Sequence, residues 1–174
     1  MFFKRKTILT KTRKIVRFEN WSKLRTIGHM NNETTNEEKN CIFCKIIKGE
    51  ISSQKIYEDK HVFAFLDINP VNIGHTLLIP KTHSQNIFDI KTETLEKIAP
   101  VLKKLSLSIK ESTGADGINI ISNNGGAAGQ LVFHLHLHII PRLSGDGLKH
   151  WPGKNYTEKE MSETAEKIKL NLKD

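Results

Sequence analysis

From Phe133 to Ile139 the chain alternates apolar residues with His134, His136 and His138 without a break. A period of two is the period of an extended strand, whose successive side chains leave on opposite faces. Three imidazoles therefore share one face, and Leu135, Leu137 and Ile139 share the other. On a helix the same residues would spread around the axis and leave no apolar stripe. A chain carrying this segment has to build a sheet around it, with a core beneath the leucine face and polar chemistry over the histidine face.

The neighbouring patterns supply that sheet. Val62–Leu66 is a short apolar run ended by Asp67 and the turn-like Asn69-Pro70. His75–Ile79 is a second run, stopped by Pro80. The two predict antiparallel strands joined by a loop. Leu95, Ile98, Leu102, Leu105 and Ile109 recur every three or four positions and predict a helix over 92–111, which Pro100 should kink or start late. Ile118–Ile121 predicts a third strand, and the histidine strand is expected to end at Pro141. Thr157-x-x-Glu160 has the form of a capping box opening a final helix to about Leu172. Strands, a helix, strands again and a helix indicate an α+β domain with an antiparallel sheet, a long central helix and a C-terminal helix. Met30–Asn40 is polar and aperiodic and reads as a linker. The expected organisation is a basic N-terminal extension over 1–40, a domain over 41–145 and a C-terminal extension over 146–174.

The net charge of +8 is confined to one end. Residues 1–30 hold nine of the 27 Lys and Arg against one acid, Glu19, while the remaining 144 residues balance 18 against 18. The body therefore calls for no nucleic-acid surface, and no stretch has the roughly 20 apolar residues that cross a bilayer. The basic head fits three descriptions: a disordered tail, sequence upstream of a start at Met30, or a mitochondrial transit peptide. The expected location is cytoplasmic, with a nuclear pool compatible, or mitochondrial if residues 1–29 are a transit peptide.

Three histidines on a strand this apolar have no structural excuse, because imidazole nitrogens need partners when buried. A solvent-facing row or a metal site made by the three alone are alternatives to catalysis. The chemistry that suits the row is nucleotidyl transfer. A neutral imidazole is a nucleophile without help from a base. The preceding loop, Asn123-Asn124-Gly125-Gly126-Ala127-Ala128-Gly129, can bring backbone N–H groups against phosphate oxygens. Cys41-Ile42-Phe43-Cys44 contains the only two cysteines. Their spacing fits a metal site, a redox pair or two buried thiols.

The segment Gly129–Arg142 resembles the signature of the histidine triad family, His-φ-His-φ-His-φ-φ with φ apolar. Cys-Ile-Phe-Cys-Lys-Ile-Ile, Phe-Leu-Asp-Ile-Asn-Pro and Gly-His-Thr-Leu-Leu-Ile-Pro-Lys-Thr-His stand ahead of it in family order, and Trp151-Pro152 resembles the Trp-Pro of one branch. That branch is the histidine triad nucleotide-binding proteins, adenosine 5′-monophosphoramidases. The resemblance covers about Cys41 to Arg142. It implies that His136 is the nucleophile that becomes nucleotidylated, with His134 and His138 orienting it and contacting the α-phosphate. It implies phosphate contacts from Asn123, Gly129 and Gln130, ribose contacts from Asp67, a base slot of Ile42, Phe43, Ile46, Phe65, Ile68 and Leu77, and His75 close by. It implies a structural zinc on Cys41, Cys44, His83 and His134, no organic cofactor, and a homodimer. The implied reaction is hydrolysis of the P–N bond of adenosine or guanosine 5′-monophosphoramidates. A dinucleoside polyphosphate hydrolase and a nucleotide-responsive interaction protein are the alternatives. Leu131 departs from the pattern, since the family often has Ser or Thr there, where a hydroxyl assists the leaving group.

Overall fold

The computed structural model describes residues 36–149 and 151–172. The basic head and the first residues of the expected linker lie outside the described residues. The end of that linker is a helical turn, α1 (Asn36–Asn40). There follow α2 (Ile42–Ile47), β1 (Lys55–Glu58), β2 (Val62–Leu66), β3 (Thr76–Pro80), α3 (Thr92–Thr113), β4 (Gly117–Ile121), β5 (Leu137–Arg142) and α4 (Glu158–Asn171). The five strands form one antiparallel sheet in the order β1-β2-β3-β5-β4. The domain is α+β, as its alternation of strand and helix patterns implies.

β2 and β3 read as unbroken apolar runs because both faces of the sheet are covered here. One face, with Val62, Ala64, Leu78, Leu135 and Ile139, packs against Ile98, Val101, Leu105 and Ile109 of α3. The other, with Phe63, Phe65, Leu77 and Ile79, packs against Cys41, Phe43, Cys44 and Ile46 at the start of the domain. Each such side chain contributes roughly 1.5–3 kcal/mol on burial, so the short α2 is held by its packing. Its one local aid is Cys41, whose sulfur caps the Cys44 amide at 3.5 Å. Neither α2 nor β1 was expected from the sequence: one is too short for a helical period and the other has no apolar alternation, with Ile56 exposed.

The prolines bear out one expectation and correct two. α3 continues unbroken through Pro100, which is exposed, as is Glu96 four residues earlier. The carbonyl that loses its helical donor is thus open to water. Pro80 closes β3 as its last residue, as expected, whereas Pro141 lies inside β5, which runs on to Arg142. A strand residue turns its N–H and C=O toward the same edge, so a proline fits where that edge has no ladder partner. Pro80 faces the place where β5 has not begun, and its carbonyl is taken by His134 Nε2 at 2.9 Å. Pro141 pairs with Ile118 of β4 and turns its carbonyl away, to Asn72 Nδ2 at 2.8 Å.

The histidine segment also differs from expectation. β5 begins at Leu137, so His134 and His136 precede the ladder and only His138 stands in it. The cause is the same: the Leu135 amide donates to the Ser84 carbonyl at 2.7 Å, and a ring, not an amide, meets Pro80. The two faces nevertheless persist, with Leu135 and Ile139 in the α3 core and the imidazoles on the α2 side. At the far end, α4 has no buried residue and rests on its own capping box, Thr157 with Glu160.

Candidate active site and metal centre

The three tautomers of the triad follow from what holds each ring, because a carbonyl accepts and never donates. His136 Nδ1 lies 2.6 Å from the His134 carbonyl. Its proton is therefore on Nδ1, and Nε2 carries a free lone pair. His134 donates Nε2–H to the Pro80 carbonyl, which leaves Nδ1 as an acceptor facing the two cysteines. His75 Nδ1 accepts the Val71 amide at 3.2 Å, so its proton is on Nε2 and goes to His138 Nδ1 at 2.9 Å. His138 is left with its proton on Nε2.

Burial holds these rings neutral. It pulls His138 down to about 4, aided by the neighbouring His136 and His75. It lowers His136 as well, against the opposing His134 carbonyl and the Asp67 carboxylate. His75 is lowered for the same reason. A buried imidazole with a fixed Nδ1–H is a nucleophile ready at neutral pH. Its ring meets His138 at 5.0 Å between centroids and the edge of Phe43 at 5.3 Å.

Asp67 stands beside the second ring pair. One oxygen lies 3.6 Å from His75 Nδ1 and 4.0 Å from His138 Nδ1, and the other accepts the Asn69 amide at 2.8 Å. The loop carrying these groups is fixed by Asn72. Its carbonyl accepts the His75 amide, and its side-chain amide reaches Pro141 and Asp146. Asp146 also takes Arg142 and the Leu143 and Leu148 amides. These contacts hold its carboxyl far below the ordinary carboxylate range, the Arg142 guanidinium most of all. Asn72, Val71 and Asp146 carry no motif: the first two stand in the loop between β2 and β3 and the third follows β5.

The glycine-rich loop forms a 3-10 turn over Gly126–Ala128 between Gly125 (φ 90°) and Gly129 (φ 84°), a backbone that side-chain-bearing residues avoid. Asn123 Nδ2 lies 3.5 Å from the Gly129 carbonyl and is half-buried. Gln130 is buried and spends its amide inside the protein. It accepts from Gly125 and donates to the Gln85 and Val132 carbonyls. Gln130 therefore shapes the loop through its side chain. Of the expected base slot, Phe43, Ile46, Phe65 and Leu77 pack together. Ile42 is exposed and lines a cleft of about 580 Å³ with Leu131, Phe133 and His83. Ile68 is 88% exposed and packs into no slot.

The second cluster is Cys41, Cys44, His83 and His134, with one ligand atom from each within 4.8 Å of all the others. His134 Nδ1 lies 3.4 and 3.5 Å from the two sulfurs, and His83 Nδ1 lies 3.3 Å from Cys44. Two thiols and two imidazoles are a donor set for a tetrahedral soft or borderline cation. The cluster fits such an ion better than it fits itself. Burial beside Cys41 pushes the Cys44 thiol up to about 12, a cost that a bound cation reverses. His83 turns its Nδ1 to Cys44, and its other nitrogen, Nε2, is buried without a hydrogen-bond partner. The structure thus places His134 in this cluster with both ring nitrogens engaged. It reaches His136 through its carbonyl. A tetrahedral ion held by these four donors would have no position left for a substrate.

A sequence model of the family described as HIT domain matches residues 48–145. Protein hit of Bacillus subtilis is 51% identical over 110 residues, 63% of this chain and 76% of that one. Adenosine 5′-monophosphoramidase HNT1 of Candida albicans is 40% identical over 139 residues, 76% of this chain and 91% of that one. Adenylylsulfatase HINT3 of Arabidopsis thaliana is 40% identical over 116 residues, 67% of this chain and 59% of that one. Among solved structures, a HIT family protein from Bacillus subtilis matches with a TM-score of 0.73 at 42% identity, over 78% of this chain and 99% of that one. A zinc-bound histidine triad family protein from Mycobacterium smegmatis matches with a TM-score of 0.62 at 38% identity, over 77% of this chain and 97% of that one.

Proposed function

Because the chain belongs to the HIT domain family, we propose that it hydrolyses purine nucleoside 5′-monophosphoramidates, through a covalent nucleotide on His136. The observation that carries this reading is the 2.6 Å bond from His136 Nδ1–H to the His134 carbonyl. It fixes the lone pair on Nε2 and leaves the same carbonyl in place to stabilise the ring once Nε2 is bonded to phosphorus.

Nε2 attacks the α-phosphorus and the P–N bond breaks. The amine leaves with a proton from the His75–His138 pair, onto which the anionic phosphate draws one extra proton, balanced by Asp67 at 3.6 and 4.0 Å. Water then attacks the nucleotidyl-histidine, its proton returns to the pair, and the monophosphate departs. Amines leave readily only when protonated, so the pair acts as general acid and then general base. Asn123 and the backbone about Gly129 are the phosphate contacts, Asp67 the ribose contact, and Phe43, Ile46, Phe65 and Leu77 the wall against the base.

Cys41, Cys44, His83 and His134 hold zinc in this reading, which ties the start of the domain to the triad and contributes on the order of 10 kcal/mol. The edge of β4, with Ile120 half-exposed at 50%, is an open template for strand pairing and the proposed homodimer contact.

Steady-state assay of an AMP–lysine amide tests the reaction. The native chain should turn it over, and His136→Ala should lose activity while keeping most of its AMP affinity. Equal turnover in the variant would end the proposal. Diadenosine polyphosphate in competition separates the polyphosphate hydrolase reading. A third reading, a nucleotide-responsive binding protein, draws on Leu131, which is 90% exposed and offers no hydroxyl. Tight AMP binding with negligible turnover of the amide would favour it.

A further inference from the structure

The His134 carbonyl that sets the nucleophile is part of a segment with little ladder support. Leu131–His136 precede β5, and the backbone bonds that hold the turn are His134 N–H to the Val132 carbonyl at 2.9 Å and Leu135 N–H to the Ser84 carbonyl at 2.7 Å. The second of these bonds and the burial of Leu135 steady the peptide that carries the His134 carbonyl, and the ring of His134 adds an anchor of its own, held between the Pro80 carbonyl on one nitrogen and the two sulfurs on the other. A second link joins the same groups. Phe43 lies between the cysteines in sequence, and its ring stands edge-on to His134 at 5.9 Å and to His136 at 5.3 Å.

We propose that the thiol–imidazole cluster is the device that keeps His136 in its reactive tautomer: with a divalent cation on Cys41, Cys44, His83 and His134, the His134 carbonyl stays where it takes Nδ1–H, and without the cation it does not. The proposal rests on the reading of His136 as the nucleophile. Which nitrogen of an imidazole carries the proton is decided by the hydrogen bond its other nitrogen makes. An emptied cluster sets two buried thiols against the Nδ1 atoms of His83 and His134 with no cation between them. Such a cluster has every reason to rearrange, and His134 and Phe43 move with it. Once released from the carbonyl, His136 places its proton on Nε2 in a large part of the molecules, and those molecules present no lone pair to phosphorus. His134 is thus a positioning residue, joining metal occupancy to chemistry through its own main chain.

The test uses the full chain with 15N-labelled histidine at one neutral pH, zinc-loaded, stripped by a chelator, and zinc-restored. Two-bond 1H–15N spectra, with His136 assigned from His136→Gln, read the tautomer directly. The loaded protein should show a protonated Nδ1 and an unprotonated Nε2. The stripped protein should shift toward protonated Nε2, and nucleotidylation of His136 by an AMP-amide should fall at least tenfold, both reversed by zinc. His134→Ala, with the other three ligands left in place, should shift the His136 resonances in the same direction, and it carries the comparison if the stripped chain unfolds. Unchanged His136 resonances in the folded stripped protein or in His134→Ala would overturn the proposal. A tautomer that follows zinc with no adduct in any state would instead remove the nucleophile reading and leave the positioning intact.

Discussion

Two pairs of imidazoles flank His136, and they put the same residue to opposite uses. On one side His83 and His134 meet at 5.0 Å between ring centroids, among two sulfurs and a main-chain carbonyl. On the other, His75 and His138 meet at 5.1 Å, with the Asp67 carboxylate beside them. Burial alone does not distinguish them, for it draws His134 and His138 alike down to about 4. The difference lies in the second nitrogen. His134 has its Nε2–H on Pro80 and an acceptor turned to the thiols, which suits a cation. His138 has its Nδ1 filled by His75 and a donor left over, which suits a phosphate or a leaving amine. The neighbours of an imidazole, more than its place in the alternation, decide its chemistry.

Substitutions on each side should therefore separate metal retention from catalysis. The largest effect belongs to the metal side. Cys44→Ser removes a ligand and should cost on the order of 3–5 kcal/mol in chemical denaturation. Chelator treatment of the native chain should reproduce most of that loss, and equal stability with and without chelator would break the distinction. On the other side, His138→Gln should lower amide hydrolysis by roughly 10²–10⁴-fold, with metal content and denaturation midpoint close to native. Lost metal in that variant would merge the two pairs into one unit.

Smaller effects sharpen the same contrast. Gly74 has φ +93°, and a Cβ there would lie 2.6 Å from Thr113 Cγ2 and 3.3 Å from Pro141 Cγ. Gly74→Ala should cost about 1–3 kcal/mol and disturb the Asp67–His75 loop, lowering turnover but leaving metal content unchanged. The smallest effect is in acid. An unfolded histidine takes up its proton near 6.5, whereas folded His138 stays neutral to about 4. The unfolded state then holds the extra proton, so this stability is whole above about 6.5 and declines between about 6.5 and 4. Denaturation midpoints over that range should fall less steeply in His138→Gln than in the native chain.

Much of this was legible in the alternation itself. A period of two put the imidazoles on one face and Leu135 and Ile139 in the core, although the ladder starts only at Leu137. Helix α3 was legible because five apolar residues recur on one stripe, and α4 because its capping box is local. What escaped was decided by tertiary partners. α2 is six residues long and is held by the face of β2 and β3, which no short-range period encodes. Pro80 does end β3, but Pro141, inside β5, read as a stop because a missing donor cannot be told from a donor that has no partner. Ile68 and Gln130 fell into expected binding roles through their neighbours in sequence, but one side chain points to solvent and the other holds its own loop. Val71 fixes the His75 tautomer, and Asn72 holds its backbone, from a loop with no periodicity at all.

The central claim is that the lone pair of His136 Nε2 makes the bond to phosphorus. Its most direct test is rapid mixing of the full chain with an AMP–lysine amide, an alkaline quench that spares phosphorus–nitrogen bonds, and mass mapping of the trapped protein. The account predicts one nucleoside monophosphate on the peptide containing His136, absent from His136→Ala and formed before the free monophosphate appears. Steady release of monophosphate with no adduct on that peptide at any time would contradict it.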